Sequence, residues 1–385
     1  MEEIDPIIKK IPIYSNISTV VPYHIFKRSV NIDSIAMKNS ILLIMLGTLV
    51  LLLGSLSVYS GYIFAQIQSS IDKLHEYSFV TEWGSKGTGD GQFLRPHDLE
   101  IDNNNKLLYA VDRDGNRIQV FDKNGTFLFT FGQKGNADGQ FLVPYGLDVD
   151  HAGNVWVADR GNQRVQKFDS QGNFILKFGN NDGHPSSELG KFDNPRHVEV
   201  DKQLKYVYVA DSKNNRIQQF DINGNFVKVI GGFGKKSGQF DLPTTIEQDS
   251  KGNFFVNERG NERVQKFDSN WNPVLMWGSK GSKNNQFCHM EHIALDKHDN
   301  VYVTDPQSDP GCSNQPRVLK FDSMGDFITE FGSPGKAQGE FRDPEHLAVD
   351  QEGNVYVSDR KNNDIQKFAP VRSEQRSSDS LIKIR

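Results

Sequence analysis

Three features of the sequence predict an all-β fold, a six-bladed β-propeller with four antiparallel strands per blade, preceded by one transmembrane helix. A phrase such as "VWVADRGNQRVQKF" (Val155 to Phe168) recurs, with copies starting at Phe93, Phe141, Phe192, Phe240, Phe287 and Phe341, spaced 48, 51, 48, 47 and 54 residues apart. The 34 Gly and 26 Phe, with frequent Asn-Gly and Gly-Asn pairs, favour many short strands joined by tight turns. Ile41 to Ala65 carries no charged residue.

That apolar run of 25 residues is long enough, as a helix rising about 1.5 Å per residue, to cross a hydrocarbon core of about 30 Å. A cleavable signal peptide fits poorly, because a 40-residue leader precedes the run and no small-x-small cleavage site follows it. Lys27, Arg28 and Lys38 lie on its N-terminal side, whereas only Lys73 occurs in the 20 residues beyond Ala65. This bias predicts a single-pass protein of the cell membrane, N-terminus cytoplasmic and C-terminal part outside. The expected organisation is a cytoplasmic leader (1–39), a transmembrane anchor (40–66), a linker (67–75), the propeller (76–370) and a polar tail (371–385). A net charge of -5 and pI near 6.1, without a Lys/Arg block, argue against nucleic acid as a partner.

A period near 50 residues built only from strands means a propeller or a β-solenoid. In the second copy the strands are Gly146 to Asp150, Asn154 to Asp159, Arg164 to Asp169 and Phe174 to Gly179, which is one four-stranded blade. The sixth copy has only three. Upstream of the first copy stands an orphan, "YSFVTEWGS" (Tyr77 to Ser85), with the fourth-strand pattern. Pairing it with Asp364 to Phe368 closes the ring and removes an exposed sheet edge.

The phrase at Pro144 to Gly179, "PYGLDVDHAGNVWVADRGNQRVQKFDSQGNFILKFG", resembles the NHL repeat, and the likeness extends over six copies between residues 76 and 368. The resemblance implies a six-bladed propeller. It leaves function open, since NHL propellers include binding scaffolds, sensor domains and a peptidyl-hydroxyglycine lyase. A weaker resemblance to that lyase implies a zinc ion in the central channel, held by three histidines that each follow a Pro at the start of an innermost strand.

At the first position after that Pro, or its equivalent, the chain has His97, Tyr145, Arg196, Thr244, Glu291 and Glu345, and at the second Asp98, Gly146, His197, Thr245, His292 and His346. Only His97 matches the lyase register. The other histidines are shifted by one residue, which in a regular strand turns a side chain to the opposite face. One reading has His197, His292 and His346 capping the inner strands through loop backbone, as Asp98 at the same position can. The other brings His97, Glu291 and Glu345, or the shifted histidines, to the axis to hold zinc, calcium or a polar ligand. Tyr145 and Arg196 join His97, Glu291 and Glu345 as ligand-binding candidates at the channel rim.

Asp112, Asp159, Asp211, Asp305 and Asp359 end the second strand and Arg117, Arg164, Arg216, Arg263 and Arg317 begin the third, so an architectural ion pair is expected at that turn. Blade four departs with Asn257 and Glu258, and blade six with Asp364 in place of Arg. Cys288 precedes blade five and Cys312 lies in the insertion between its second and third strands, two loops on one face, so the pair is the candidate disulfide. "NGT" at Asn124 to Thr126 is explained by hairpin turn chemistry alone. No nucleophile elbow, phosphate loop or triad signature is present. The expected function is a membrane-anchored extracytoplasmic scaffold or sensor that binds a protein, peptide or small polar ligand on the face bearing these loops, with a metal-dependent lyase as the alternative.

Overall fold

The structure is a computed structural model that describes residues 76–371, apart from 105, 181, 307–311 and 313–315. The leader, anchor and linker, and the tail beyond residue 371, fall outside the described residues. Among the described residues no helix is long and apolar enough to cross a membrane.

Six four-stranded antiparallel sheets form the blades. From the axis outward, blade 1 is Pro96–Asp102, Leu107–Asp112, Arg117–Asp122 and Phe127–Phe131; blade 2 is Leu147–Val149, Val155–Asp159, Arg164–Phe168 and Phe174–Gly179; and blade 3 is Pro195–Val200, Tyr206–Asp211, Arg216–Asp221 and Phe226–Ile230. Blade 4 is Pro243–Gln248, Phe254–Glu258, Arg263–Phe267 and Pro273–Trp277, and blade 5 is Ile293–Leu295, Val301–Asp305, Arg317–Phe321 and Phe327–Phe331. Blade 6 is Pro344–Val349, Val355–Asp359, Asp364–Pro370 and, as its outer strand, Tyr77–Trp83. Tyr77 lies opposite Pro370 and Trp83 opposite Ile365, so the orphan strand closes the ring as expected.

The repeated phrase is legible in the packing. Second strands such as Val155–Asp159 are buried on both faces because neighbouring blades cover them. The phenylalanine that starts each copy is fully buried, and Phe141 lies where a Cβ on Gly132 (φ +85°) would have to go. The glutamine of the third strand, as in Gln166, ties the loop entering its own blade: its amide oxygen accepts Gly139 N–H at 3.0 Å and its nitrogen donates to Gln140 O at 2.8 Å. Asp150 shows why an Asp recurs before the first turn. Its Oδ1 accepts the N–H groups of Ala152 and Asn154, bracing a turn that closes on Gly153.

The expected Asp to Arg pairs form in four blades, at 3.1 Å for Asp112–Arg117, 2.8 Å for Asp159–Arg164 and 2.7 Å for Asp211–Arg216 in the first three. Blade 4 proves no exception, because Glu258 takes the place of Asp and reaches Arg263. In blade 5 Asp305 lies 3.4 Å from Arg317. In blade 6 Asp364 faces Asp359 instead, and burial followed by that neighbouring charge pushes its carboxyl up to about 7. Cys288 and Cys312 are joined in a disulfide with Cα atoms 5.8 Å apart.

Candidate functional site

The innermost strands begin with a local irregularity that decides where their side chains point. In blade 1 Pro96 pairs with Asp112 and Leu99 with Ala110, so three residues on the inner strand span two on its neighbour. Blades 3, 4 and 6 repeat this bulge, starting at Pro195, Pro243 and Pro344. An extra residue interrupts strict alternation. The expectation that the first and second positions face opposite ways is therefore corrected: His97 and His346, one residue apart in register, both reach the channel centre.

Two buried groups of three potential ligands result, His97 with Glu345 and His346, and Asp98 with His197 and His292, each offering ligand atoms within 4.8 Å of one another. In the first, His97 Nδ1 donates to Tyr145 O at 3.1 Å and His346 Nδ1 donates to Asp98 Oδ1 at 2.7 Å. Both acceptors require the proton on Nδ1, which leaves Nε2 as a lone pair on each ring. His97 Nε2, His346 Nε2 and Glu345 Oε2 are buried with no hydrogen-bond partner among the described residues, and His97 Nε2 lies 3.5 Å from Glu345 Oε2. Burial drives His97 far toward the neutral, ligating form, and the nearby arginines act in the same direction. Burial and the Glu291 charge push Glu345 up to about 7 against the pull of Arg360. These donors fit a zinc-type ion, whereas calcium takes six to eight oxygens and is poorly served by two imidazoles.

The second group is organised differently. Asp98 Oδ1 accepts Leu99 N–H at 2.9 Å and Oδ2 accepts Leu147 N–H at 2.6 Å, so most of its lone pairs are occupied. His292 Nε2 is 3.5 Å from Oδ1 and His197 Nε2 is 3.8 Å from Oδ2. Burial lowers His197 to about 4 and His292 well below the usual imidazole range, so both stay neutral. Asp98 does cap backbone as anticipated. Of the histidines only His197 accepts a backbone N–H, from Ile246 at 3.5 Å; His292 and His346 face Asp98 instead, which corrects the capping reading for them.

Glu291 does not join His97 and Glu345. Arg196 (3.1 Å), Arg259 (3.0 Å) and His289 (2.9 Å) hold it toward the channel mouth. Tyr145 packs against His97 with ring centroids 3.8 Å apart and planes tilted by 55°, and Arg196 lies over the Tyr145 ring at 4.9 Å. Burial raises the Tyr145 phenol to about 12, so it keeps its proton. Within Cys288 to His292, Cys288 forms the disulfide, His289 pairs with Glu291 and His292 lies beside Asp98.

Toward the other end of the channel the sequence holds a signal that was not read. "LEID", "LDVD", "VEVD" and "IEQD" put Glu100, Asp148, Glu199 and Glu247 at one level of four consecutive blades, where they line a cavity of about 340 Å³. Burial, then the charge of Asp148, raises Glu100, Glu199 and Glu247 well above the usual carboxylate range. Burial likewise raises Asp148 to about 7. Carboxyl groups ordinarily lose their protons at about pH 4, so from there upward the folded chain holds more protons at these four positions than the unfolded one and stability falls as pH rises. His197 and His292, neutral when folded and protonated when unfolded, offset part of this fall only between about pH 4 and about pH 6.5. Thermal melts should show a midpoint that declines by a few degrees from about pH 6.5 to about pH 8.5; a melting temperature that rises over that interval would contradict this arrangement.

The NHL repeat family matches residues 141–168 and 341–368, the second and sixth copies. The chain carries NHL repeats. A stretch of 49 residues is 39% identical to the protein lin-41 of Caenorhabditis elegans, a match spanning 13% of this chain and 4% of that protein. The chain's fold is similar to that of a streptogramin B lyase (TM-score 0.53, 10% identity, 78% of this chain and 99% of that one). It is also similar to a gluconolactonase, XC5397 of Xanthomonas campestris (TM-score 0.51, 11% identity, 72% and 86%). A Bacteroides thetaiotaomicron protein of unknown function is similar too (TM-score 0.55, 16% identity, 76% and 75%). At these identities the likeness concerns the fold alone.

Proposed function

We propose that this NHL propeller is a ligand-binding protein whose channel holds a divalent transition-metal ion, zinc foremost, on His97, Glu345 and His346. The observation that carries the reading is that His97 Nε2, Glu345 Oε2 and His346 Nε2 are buried without a hydrogen-bond partner among the described residues, on three residues whose ligand atoms lie within 4.8 Å of one another. Leaving such groups unsatisfied is costly, and a cation supplies their missing partner. A bound ion of this kind acts as a Lewis acid toward a polar group of a ligand. The chain's own residues orient the ligands: Tyr145 O and Asp98 fix the imidazoles, while Arg360 holds the second oxygen of Glu345 at 2.5 Å. The three-histidine set implied by the lyase resemblance is not matched, since a carboxylate stands in the group, and the reading stops at binding. Elemental analysis of the purified full-length chain should find one zinc-class ion per chain, and His97→Ala or His346→Ala should reduce occupancy at least tenfold with the propeller still folded. Metal-free wild-type protein, or full occupancy in both variants, would refute it.

The ligand face is placed outside a membrane in this proposal. Support comes from the uncharged run Ile41 to Ala65, the excess of cationic residues before it, and a disulfide that suits an oxidising compartment. Protease added to intact cells should remove the propeller; complete protection would place it on the other side.

A further inference from the structure

Among the described residues, three arginines at the mouth of the channel are incompletely balanced by carboxylates. Arg113, Arg160 and Arg196 converge on one ring, their guanidinium carbons 5.5, 5.0 and 4.9 Å from the centroid of Tyr145. Guanidinium groups do not give up their protons, so all three are charged. Glu291 pairs with Arg196 but is shared with Arg259 and His289. Arg113 has only Asp114 at 4.0 Å, a half-exposed carboxylate that lies nearer to Arg95, at 3.6 Å. Arg160 donates Nε–H to the Asn194 side chain and makes no ion pair among the described residues. Arg113 Nε and Arg196 Nε are buried without a hydrogen-bond partner.

An architectural role does not explain this arrangement. The arginines that build the blades, such as Arg164 and Arg216, each meet a buried carboxylate of their own blade and carbonyls of the loop entering it. Arg113 and Arg160 instead come from the residue after that carboxylate, at the turn between second and third strands, and lean over the mouth. Cation–π contact with Tyr145 attracts each guanidinium to the ring but does not remove the repulsion among three cations sharing it. What does is an oxyanion, whose coplanar oxygens match the guanidinium fork.

We propose that Arg113, Arg160 and Arg196, over Tyr145, form a binding site for a small ligand's oxyanion, a carboxylate or a phosphate. The inference extends the ligand-face reading and requires no metal. The bound anion lies above His97, so the remainder of the ligand extends toward the His97, Glu345 and His346 group.

The test is calorimetric titration of the full chain, stripped with chelator, with acetate, inorganic phosphate and acetamide as probes. At least one anion should bind, the tighter one naming the ligand class, and neutral acetamide should not. Arg160→Gln and Arg113→Gln should each weaken anion binding about ten- to a hundredfold, the loss expected for a charge-assisted contact, while melting temperatures stay near wild type. Unchanged anion affinity in both variants, or binding of neither anion, overturns the site. Chelation keeps the outcome separate from the metal: an anion that binds the stripped chain supports the mouth site even if elemental analysis finds no ion.

Discussion

A chain that begins at residue 86 should melt at least about 10 °C below one that begins at residue 70, although the two differ by only 16 residues near one end. The strand they differ by, Tyr77–Trp83, completes the ladder of blade 6 and also touches both neighbouring blades. Tyr77 stacks on Phe331 of blade 5 at 4.7 Å and shares a hydroxyl contact with Tyr302 at 2.6 Å. Trp83 sits by Phe121 of blade 1 and Tyr356 of blade 6, at ring distances of 6.1 and 6.2 Å. Phe79 packs edge-on against Phe368. Fully burying a large side chain is worth about 1.5–3 kcal/mol, and these half-buried aromatics each lose about half of that on return to water, while the bared strand adds an unpaired edge. Summed over three aromatics and the lost ladder this is about 5 kcal/mol, and each kcal/mol lowers the midpoint by about 2–4 °C in a chain of this class. Equal melting temperatures would mean that the strand does not hold the ring shut.

Asp98→Leu should be nearly as damaging. This carboxylate, 1% exposed, accepts from Leu147 of blade 2 and His346 of blade 6 and lies between His197 of blade 3 and His292 of blade 5. Burial alone would raise its pKa; the hydrogen-bonded His346, with His292 and His197, holds it well below the usual carboxylate range. The apolar substitution strands three buried N–H groups, those of Leu99, Leu147 and His346, so a loss of about 3–5 kcal/mol is expected by denaturant unfolding. Asp98→Asn, which keeps an acceptor, should fold but bind metal about ten- to a hundredfold more weakly, because His346 loses its charged anchor. If the leucine variant unfolds at the wild-type denaturant concentration, Asp98 does not join the blades at the axis.

Blade number, strand boundaries and ring closure were legible in the chain because they rest on local, repeated signals. Apolar alternation, Asx turns and the Gln and Phe of each copy act within one blade or on the next, and six copies reinforce the same reading. The disulfide was legible for a related reason, since strand direction alone puts Cys288 and Cys312 on one face. The site was legible only in composition. His97, Glu345 and His346 were named, but their meeting depends on bulges at Pro96 and Pro344, and a one-residue bulge leaves no mark on a hydrophobic pattern. Glu291 shares their register, yet Arg196 of blade 3, Arg259 of blade 4 and the nearby His289 draw it to the mouth. The recurring acid-arginine pairs "DR" and "ER" that place Arg113, Arg160, Arg259 and Arg360 were present in plain view and not read, because a surface turn and a shared binding mouth look alike until the ring closes. The sequence by itself thus determined the blade and its repetition, through contacts between residues close along the chain. The tertiary structure decided which side chains meet at the axis, because six strands far apart in sequence converge there and their charges are set by one another.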